Sequence, residues 1–254
     1  SNDDVVHVTG DVDPIRDIEI INTELILADI EVLERGLDKE QKLARGGDKK
    51  SKMQSAMFER LIAHLNGGNM LRTLEMGEEE LLLLAEFGVI TDKPVIYLAN
   101  VDEEKDSRKY VEAIAEYAEK QGARHLYLVG KLEEEISELP DGEKREYLDA
   151  MGVEESGLDR LIKTAYSLLD LITYYTAATD LQAWTVKTGT AAAAAAGKIH
   201  TDFERGFIRA EVYRYQDLAA HGSEKAVREH GLFRSEGRDY IVQDGDIIKY
   251  LFNV

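Results

Sequence analysis

The stretch Pro94-Val95-Ile96-Tyr97-Leu98-Ala99-Asn100-Val101-Asp102-Glu103 decides the architecture of this chain. From Pro94 to Ala99 it is uncharged and continuously apolar, and it stops at Asn100. That is the pattern of a strand buried on both faces of a parallel sheet. Asp106 to Gln121 then reads as a helix and His125 to Val129 as a second buried strand, so the three segments form a βαβ unit. Further helices are predicted over Lys131–Leu139, Asp141–Ala150 and Gly157–Leu169. The last carries Leu158, Leu161, Ile162, Ala165, Leu168 and Leu169 on its apolar side.

Upstream, Val5–Val8 reads as a short strand, and Asp13-Pro14 opens a helix with an acidic cap and a proline at the first helical position. Ile18, Ile21, Leu25, Ala28 and Val32 make one apolar stripe; Ile26, Ile30, Leu33 and Leu37 make a second. A helix with two stripes packs on more than one neighbour. Gly46-Gly47 ends it, and a second helix from Ser51 to Leu65 places Met53, Met57, Leu61 and Leu65 on one packing side before Gly67-Gly68. Together they predict an antiparallel helical hairpin, which at roughly 1.5 Å per residue projects about 40 Å. A third helix, Glu78–Phe87, returns the chain to Pro94.

Beyond Asp170 the pattern alternates. Strands are predicted at Thr173–Thr176, Gln182–Val186 and Phe207–Tyr215. Tyr240–Val242 and Ile247–Phe252 flank the turn Asp244-Gly245-Asp246. Ala191–Ala196 is strongly helix-prone. Strands around one short helix make residues 171–254 an α+β, β-grasp module. Trp184, Tyr174 and Tyr175 read as core, with one of the two tyrosines exposed.

The chain's 254 residues allow two or three modest domains. Zero cysteines exclude disulfides, thiol catalysis and zinc–thiolate sites, and fit a reducing compartment. No apolar run approaches the roughly 20 residues of a membrane span, and Ser1-Asn2-Asp3-Asp4 is acidic where a secretory signal is basic, so a cytoplasmic location without membrane contact is expected. A net charge of −19 argues against indiscriminate nucleic-acid binding. The charge is uneven: residues 1–170 hold 39 acids against 21 bases, and residues 171–254 hold 11 against 10. Arg205, Arg209, Arg214, Arg228, Arg234 and Arg238 are therefore candidates for a local basic face, and read equally as scattered solubilising charges.

A second stretch carries the family resemblance: Gly197-Lys198-Ile199-His200-Thr201-Asp202-Phe203-Glu204-Arg205-Gly206-Phe207-Ile208-Arg209-Ala210-Glu211-Val212. With Asp4–Val8, Val12–Asp17, Pro94–Glu103 and the terminal Phe252-Asn253-Val254, it resembles the YchF family of Obg-related P-loop ATPases, in order and over nearly the whole chain. No G-x-x-x-x-G-K-[ST] occurs, so the phosphate-holding loop is absent and the chain reads as the C-terminal two-thirds of such a protein. The resemblance implies a fold that is α/β plus α+β. Residues 1–13 and 92–170 would be the remainder of a P-loop nucleotide-binding sheet, 14–91 an inserted helical arm, and 171–254 a TGS (ubiquitin-like, β-grasp) domain. It implies ATP as the ligand, with Mg²⁺ only alongside the missing N-terminal part. It also implies ribosome- and stress-linked functions, with ribosome or RNA met through the TGS domain and the arm. The run Ala191–Ala196 departs from the mixed sequence expected there, and would lack side chains that a partner reads.

On that reading Asn100, Val101 and Glu103 occupy the base-reading loop, where ordinary GTPases place N-K-x-D. The GTPase aspartate accepts from guanine N1–H and the exocyclic amine, whereas adenine has a bare acceptor at N1. Val101 and Glu103 alter that reader twice, which implies ATP preference, while Asn100 still meets N7 of either purine. Val129-Gly130-Lys131 falls at the second base loop, with Gly130 and Lys131 as contacts. Glu133-Glu134-Glu135 reads as acids favouring a helix N-terminus, not as a metal site. His200, Asp202 and Glu204 lack a nucleophile or metal triad at workable spacing, so no catalytic residue is assigned. His200 and Asp202 read as loop organisers with Phe203 and Phe207 packing the loop. Lys49, Lys50 and Lys52 at the hairpin tip and Arg205 and Arg209 are the candidates for RNA or partner contact. Without phosphate and magnesium ligands the chain alone is expected not to hydrolyse ATP. The rival reading is a non-enzymatic adaptor binding ribosome or protein through arm and TGS domain; a tRNA-synthetase-like or stringent-response fragment shares only the last 84 residues.

Overall fold

Asp13 caps the first helix, α1 (Pro14–Arg45), its carboxylate accepting from Arg16 N at 3.1 Å. The structure is a computed structural model that describes residues 12–102, 107–177 and 181–253. The expected strand Val5–Val8 and the site residue Glu103 lie outside the described residues. The chain divides into two compact units, Ser1–Leu161 and Ile162–Val254.

In the first unit Asp48 starts α2 (Lys49–Asn66), accepting from Ser51 N at 3.0 Å and Ser51 Oγ at 2.7 Å. α1 and α2 pack as the expected hairpin, and the seam uses the second of the two stripes. Ile26 and Leu33 are buried against Phe58, Leu61, Ile62 and Leu65, with Ile30 and Leu37 beside them. Ile21 and Ala28 of the first stripe are exposed. The expectation for Met53 is corrected, because it is exposed and Phe58 takes the packing face. The cause is Gly36. A methyl there would sit 2.7 Å from Phe58 Cζ and 2.8 Å from Phe87 Cε1, so the bare glycine admits both rings. They meet edge-on with centroids 5.1 Å apart.

A 3₁₀ turn at Leu71–Thr73 and α3 (Glu78–Phe87) follow. β1 (Ile96–Asn100), α4 (Ser107–Lys120) and β2 (Arg124–Leu128) form the expected βαβ unit, with β1 and β2 parallel and Asn100 opposite Leu128. The strands are not buried as expected. Ala99 alone among their residues is buried, and Leu98 and Tyr127 are exposed. Among the described residues this sheet has two strands, and a parallel strand is buried only when both faces are covered. The chain continues through α5 (Gly130–Glu138), α6 (Asp141–Met151) and α7 (Gly157–Leu168). Leu158, Ile162 and Leu169 of the predicted apolar side are exposed. The start of α7 is held by hydrogen bonds to Glu133 rather than by its leucines.

The second unit is built on β3 (Leu171–Ala177), β4 (Leu181–Lys187), α8 (Ala192–Ile199), α9 (Thr201–Arg205) and β5 (Phe207–Arg214). α10 (Tyr215–His221), α11 (Glu224–Glu229), β6 (Arg234–Glu236) and β7 (Asp246–Phe252) complete it. Its five strands run in the order β4-β3-β7-β5-β6, with β3 and β7 parallel and the other pairs antiparallel. α8 lays Ala192 and Ala195 on a core of Tyr174, Val186, Ala210, Val212, Val242 and Ile248. Four residues of the alanine run (Ala192, Ala193, Ala195, Ala196) are buried, so these positions face the sheet, not a partner. Small size suits them to close packing. Tyr240–Val242 is not a strand. It makes only the bridge Ala191–Ile241, because Tyr240 is drawn by its hydroxyl to Asp246 and β6 takes the place beside β5. Trp184 is half-buried and donates to Thr176 Oγ1 at 3.0 Å; Tyr174 is fully buried and Tyr175 partly so.

Candidate functional site

β1 and β2 end side by side because they run parallel, so the residues that follow each strand emerge together. The Asn100 side chain joins them: its Oδ1 accepts from Gly130 N at 3.1 Å. A Cβ on residue 130 would lie 2.9 Å from that oxygen, so only glycine lets Asn100 approach. Because Gly130 N–H is a donor, the amide oxygen faces it and the Asn100 NH₂ is left pointing elsewhere as a donor. Val101 N donates to Leu128 O at 2.9 Å, extending the ladder past the last strand residue. Lys131 is exposed in the first turn of α5. Asn100, Val101, Gly130 and Lys131 therefore share one rim of the sheet.

Two residues outside the expected base-reading set brace the elements beside this rim. Glu133 accepts from Gly157 N at 2.7 Å and Leu158 N at 3.0 Å, so one carboxylate near the start of α5 caps α7. Its role as a dipole-friendly acid understated it. A methyl on Gly157 would meet Glu133 Oε1 at 2.7 Å. Arg160 donates to Tyr127 O at 3.1 Å and lies 5.1 Å from the Tyr127 ring centroid. No local motif signals either contact, since each joins residues more than 20 positions apart.

The remaining candidates lie elsewhere. Lys49, Lys50 and Lys52 are exposed at the hairpin turn, away from the end of α1 that meets α4 through Asn22 and Tyr117 at 3.1 Å. Arg205 is exposed on α9. Arg209 is exposed on β5 and pairs with Glu211 at 3.5 Å. Arg228 pairs with Glu211 and Glu224 at 3.6 Å each, and lies 4.0 Å from the Phe233 ring. Arg234 faces the fully buried Asp246 at 3.4 Å, and Arg238 donates twice to Glu204 O. Those three arginines serve the fold. His200 caps α9 by accepting from Asp202 N at 3.2 Å, and Phe203 stacks on Phe252 at 3.8 Å, so this segment organises a loop as expected. Among the described residues no three His, Asp or Glu side chains gather as a metal ion would need, and no helix is long and apolar enough to cross a membrane.

The same order of segments recurs in known proteins. A ribosome-binding ATPase YchF of Haemophilus influenzae is 45% identical over 255 residues, covering 100% of this chain and 70% of the relative. The chain belongs to the YchF family. The Bacillus subtilis protein of that name is 44% identical over 259 residues, and the chain spans 71% of it. A YchF carboxy-terminal family model, described as a protein of unknown function, matches residues 171–253. The structure of the Schizosaccharomyces pombe YchF GTPase superposes with a TM-score of 0.83 at 32% identity, over 99% of this chain and 69% of that one. A GTP-binding protein from Pyrococcus horikoshii, 20% identical with a TM-score of 0.58, shares the fold.

Proposed function

We propose that this YchF-family chain is the base-reading and partner-binding portion of an ATP-preferring nucleotide hydrolase that works at the ribosome in the cytoplasm. The Asn100–Gly130 bond carries the reading. It ties together the two loops that flank a purine and leaves the Asn100 NH₂ free to donate to N7, which adenine and guanine share. Val101 offers backbone groups beside it. Lys131 supplies an apolar stem over which a base can lie, and in the sequence Glu103 stands where a GTPase has its guanine-reading aspartate. The described residues thus fit the base end of a nucleotide. Phosphate and Mg²⁺ would be held by residues of a P-loop, which this chain lacks. ATP supplies the phosphoryl chemistry when bound; these residues bind and orient its base. Residues 171–254 are read as a TGS domain and residues 14–91 as the arm, with Arg205, Arg209, Lys49, Lys50 and Lys52 meeting ribosomal RNA.

The test joins the chain to a P-loop-bearing N-terminal part and measures ATP against GTP competition. ATP should win, and Val101→Lys with Glu103→Asp should move preference towards GTP. Unchanged competition in the double variant would remove both residues from base selection. The chain by itself should bind ATP weakly, because a few base contacts do not replace phosphate and Mg²⁺ interactions.

A further inference from the structure

The second unit holds an open cleft of about 930 Å³ between the end of α7, the start of β3, the β5–α10 junction and the turn before β7. That volume lies at the upper end of small-molecule sites. Its floor is stitched in place. Thr173 N donates to Asp244 Oδ1 at 2.8 Å, Gly245 N donates to Thr173 O at 2.8 Å, and Tyr215 N donates to Gly245 O at 2.8 Å. Gly245 reaches this geometry at φ 78°, in the left-handed region. Tyr166, Tyr175, Tyr215 and Arg214 line the cleft beside this floor.

Two features distinguish this cleft from the rest of the unit. Tyr215 is 55% exposed, yet its ring is backed by Tyr175, with centroids 6.3 Å apart and planes 37° apart. An aromatic face held open in this way is a stacking platform. Arg214 is the second feature. Arg209, Arg228, Arg234 and Arg238 are all engaged by carboxylates or a carbonyl, whereas among the described residues Arg214, like Arg205 on α9, has no ion-pair or hydrogen-bond partner for its guanidinium, and of these two only Arg214 lines the cleft. The one carboxylate lining the cleft, Asp244, is turned to the Thr173 amide. A platform beside an unspent cation suits a ring that carries a phosphate.

We propose that this cleft binds a nucleoside phosphate, its base stacked on Tyr215 and its phosphate paired with Arg214. The occupant is a free mononucleotide or one unit of a single-stranded RNA, since both present the same chemistry. Gln216, which also lines the cleft, carries an amide suited to the base edge. The proposal rests on the reading of residues 171–254 as the partner-binding module. It is separate from the rim at Asn100, which belongs to the other unit.

The test uses the full chain and fluorescein-labelled hexa-adenylate, with anisotropy as the readout and unlabelled AMP as competitor. Tyr215→Ala should weaken binding about fivefold to a hundredfold, the range for losing one stacked base, and Tyr215→Phe should restore it. Arg214→Ala should weaken it and flatten its salt dependence. Arg205→Glu with Arg209→Glu should leave cleft binding within twofold, even if it weakens ribosome binding, so the two readings fail separately. AMP displacing the oligonucleotide at similar concentration marks a free mononucleotide as the occupant; oligonucleotide binding that AMP does not displace marks an RNA strand. Absence of binding to both probes overturns the proposal. So does equal binding by wild type and Tyr215→Ala, with Trp184 fluorescence showing both folded. AMP binding lost in Asn100→Ala but kept in Tyr215→Ala would also overturn it, by moving the ligand to the rim.

Discussion

Asp29 offers the sharpest test of how the arm is fastened to the strand that carries Asn100. It sits mid-way along α1 with 2% exposure, and its carboxylate accepts from Ile90 N at 2.9 and 3.0 Å and from Thr91 N at 2.7 Å. Asp29→Ala leaves two amides without a partner, that of Thr91 fully buried and that of Ile90 partly so, at about 1–3 kcal/mol each. Alanine's better helix propensity returns no more than about 0.7 kcal/mol, so the net loss is about 1–5 kcal/mol. Asp29→Asn keeps one acceptor oxygen but turns an NH₂ towards a second donor, and should lose about half as much. Urea unfolding followed by circular dichroism at 222 nm reads chiefly the long helices of the first unit, with a smaller contribution from α8–α11. Trp184 fluorescence does not serve, because that residue belongs to the second unit. With a urea slope of about 2 kcal/mol/M, a loss of about 3 kcal/mol lowers the midpoint by about 1.5 M. Amide exchange at Ile90 and Thr91 should accelerate in step. A loss below about 0.5 kcal/mol, with both amides still protected, would refute the claim that this carboxylate fastens the segment.

Other expectations follow from single contacts. Glu80 is buried, which by itself raises its carboxyl, but Arg60 and the Gly77 amide outweigh burial and hold it below its ordinary 4.5. Its contribution is therefore present above about pH 4.5 and lost as pH falls through the lowered value, so the stability gap between wild type and Glu80→Gln should close on acidification, as urea midpoints at pH 7 and pH 3.5 will show. Burial pushes the Tyr174 hydroxyl up to about 12. Stability linked to it is complete below pH 10 and drains as pH rises towards 12, so alkaline unfolding followed by Trp184 fluorescence should move upward in Tyr174→Phe. That variant should also lose about 1–2 kcal/mol at pH 7, because Tyr174 OH donates to Ala195 O at 2.8 Å. Gly206→Ala would drive a methyl into the carbonyl of Asn253, whose N–H donates back to Gly206 O at 2.9 Å, so relieving the clash would break that bond. Amide exchange should show the end of β7 released, and a wild-type exchange pattern would count against the packing.

Local signals in this sequence were strong enough to be read, and choices between competing partners were not. Asp13-Pro14 and Gly46-Gly47 specify the ends of α1 through capping and backbone freedom alone, and α1 runs from Pro14 to Arg45. Which of its two stripes makes the seam depends on Gly36 lying opposite Phe58, a contact 22 positions apart that no helical period encodes. The buried aspartate at position 29 looks like any solvent-facing acid until the amides of Ile90 and Thr91 arrive beside it. In the second unit the alternation of β3, β4 and β5 was legible, whereas Arg234–Glu236 is short and charged, and becomes a strand only because β5 offers it an edge. Tyr240–Val242 had better strand residues and lost the place to the Tyr240–Asp246 bond at 2.7 Å.

The same distinction explains the candidate site. Asn100 was visible because it ends an apolar run, but its fixed position depends on Gly130, 30 positions away, while Glu133 and Arg160 tie the neighbouring helix α7 to α5 and β2. The arm enters that structure at defined points. Asp29 of α1 holds residues 90 and 91, Thr91 O accepts from Arg72 N at 3.0 Å, and Arg72 reaches the hydroxyl of Tyr97 on β1 at 3.4 Å. Tyr97 meets Tyr117 of α4 edge-on at 5.6 Å, and Asn22 of α1 donates to the Tyr117 hydroxyl at 3.1 Å, closing the circuit on the arm. A displacement of α1 along its axis would break a buried carboxylate–amide contact before it could leave β1 unmoved. The strand that presents Asn100 and the helix α1 are therefore linked by this circuit of contacts.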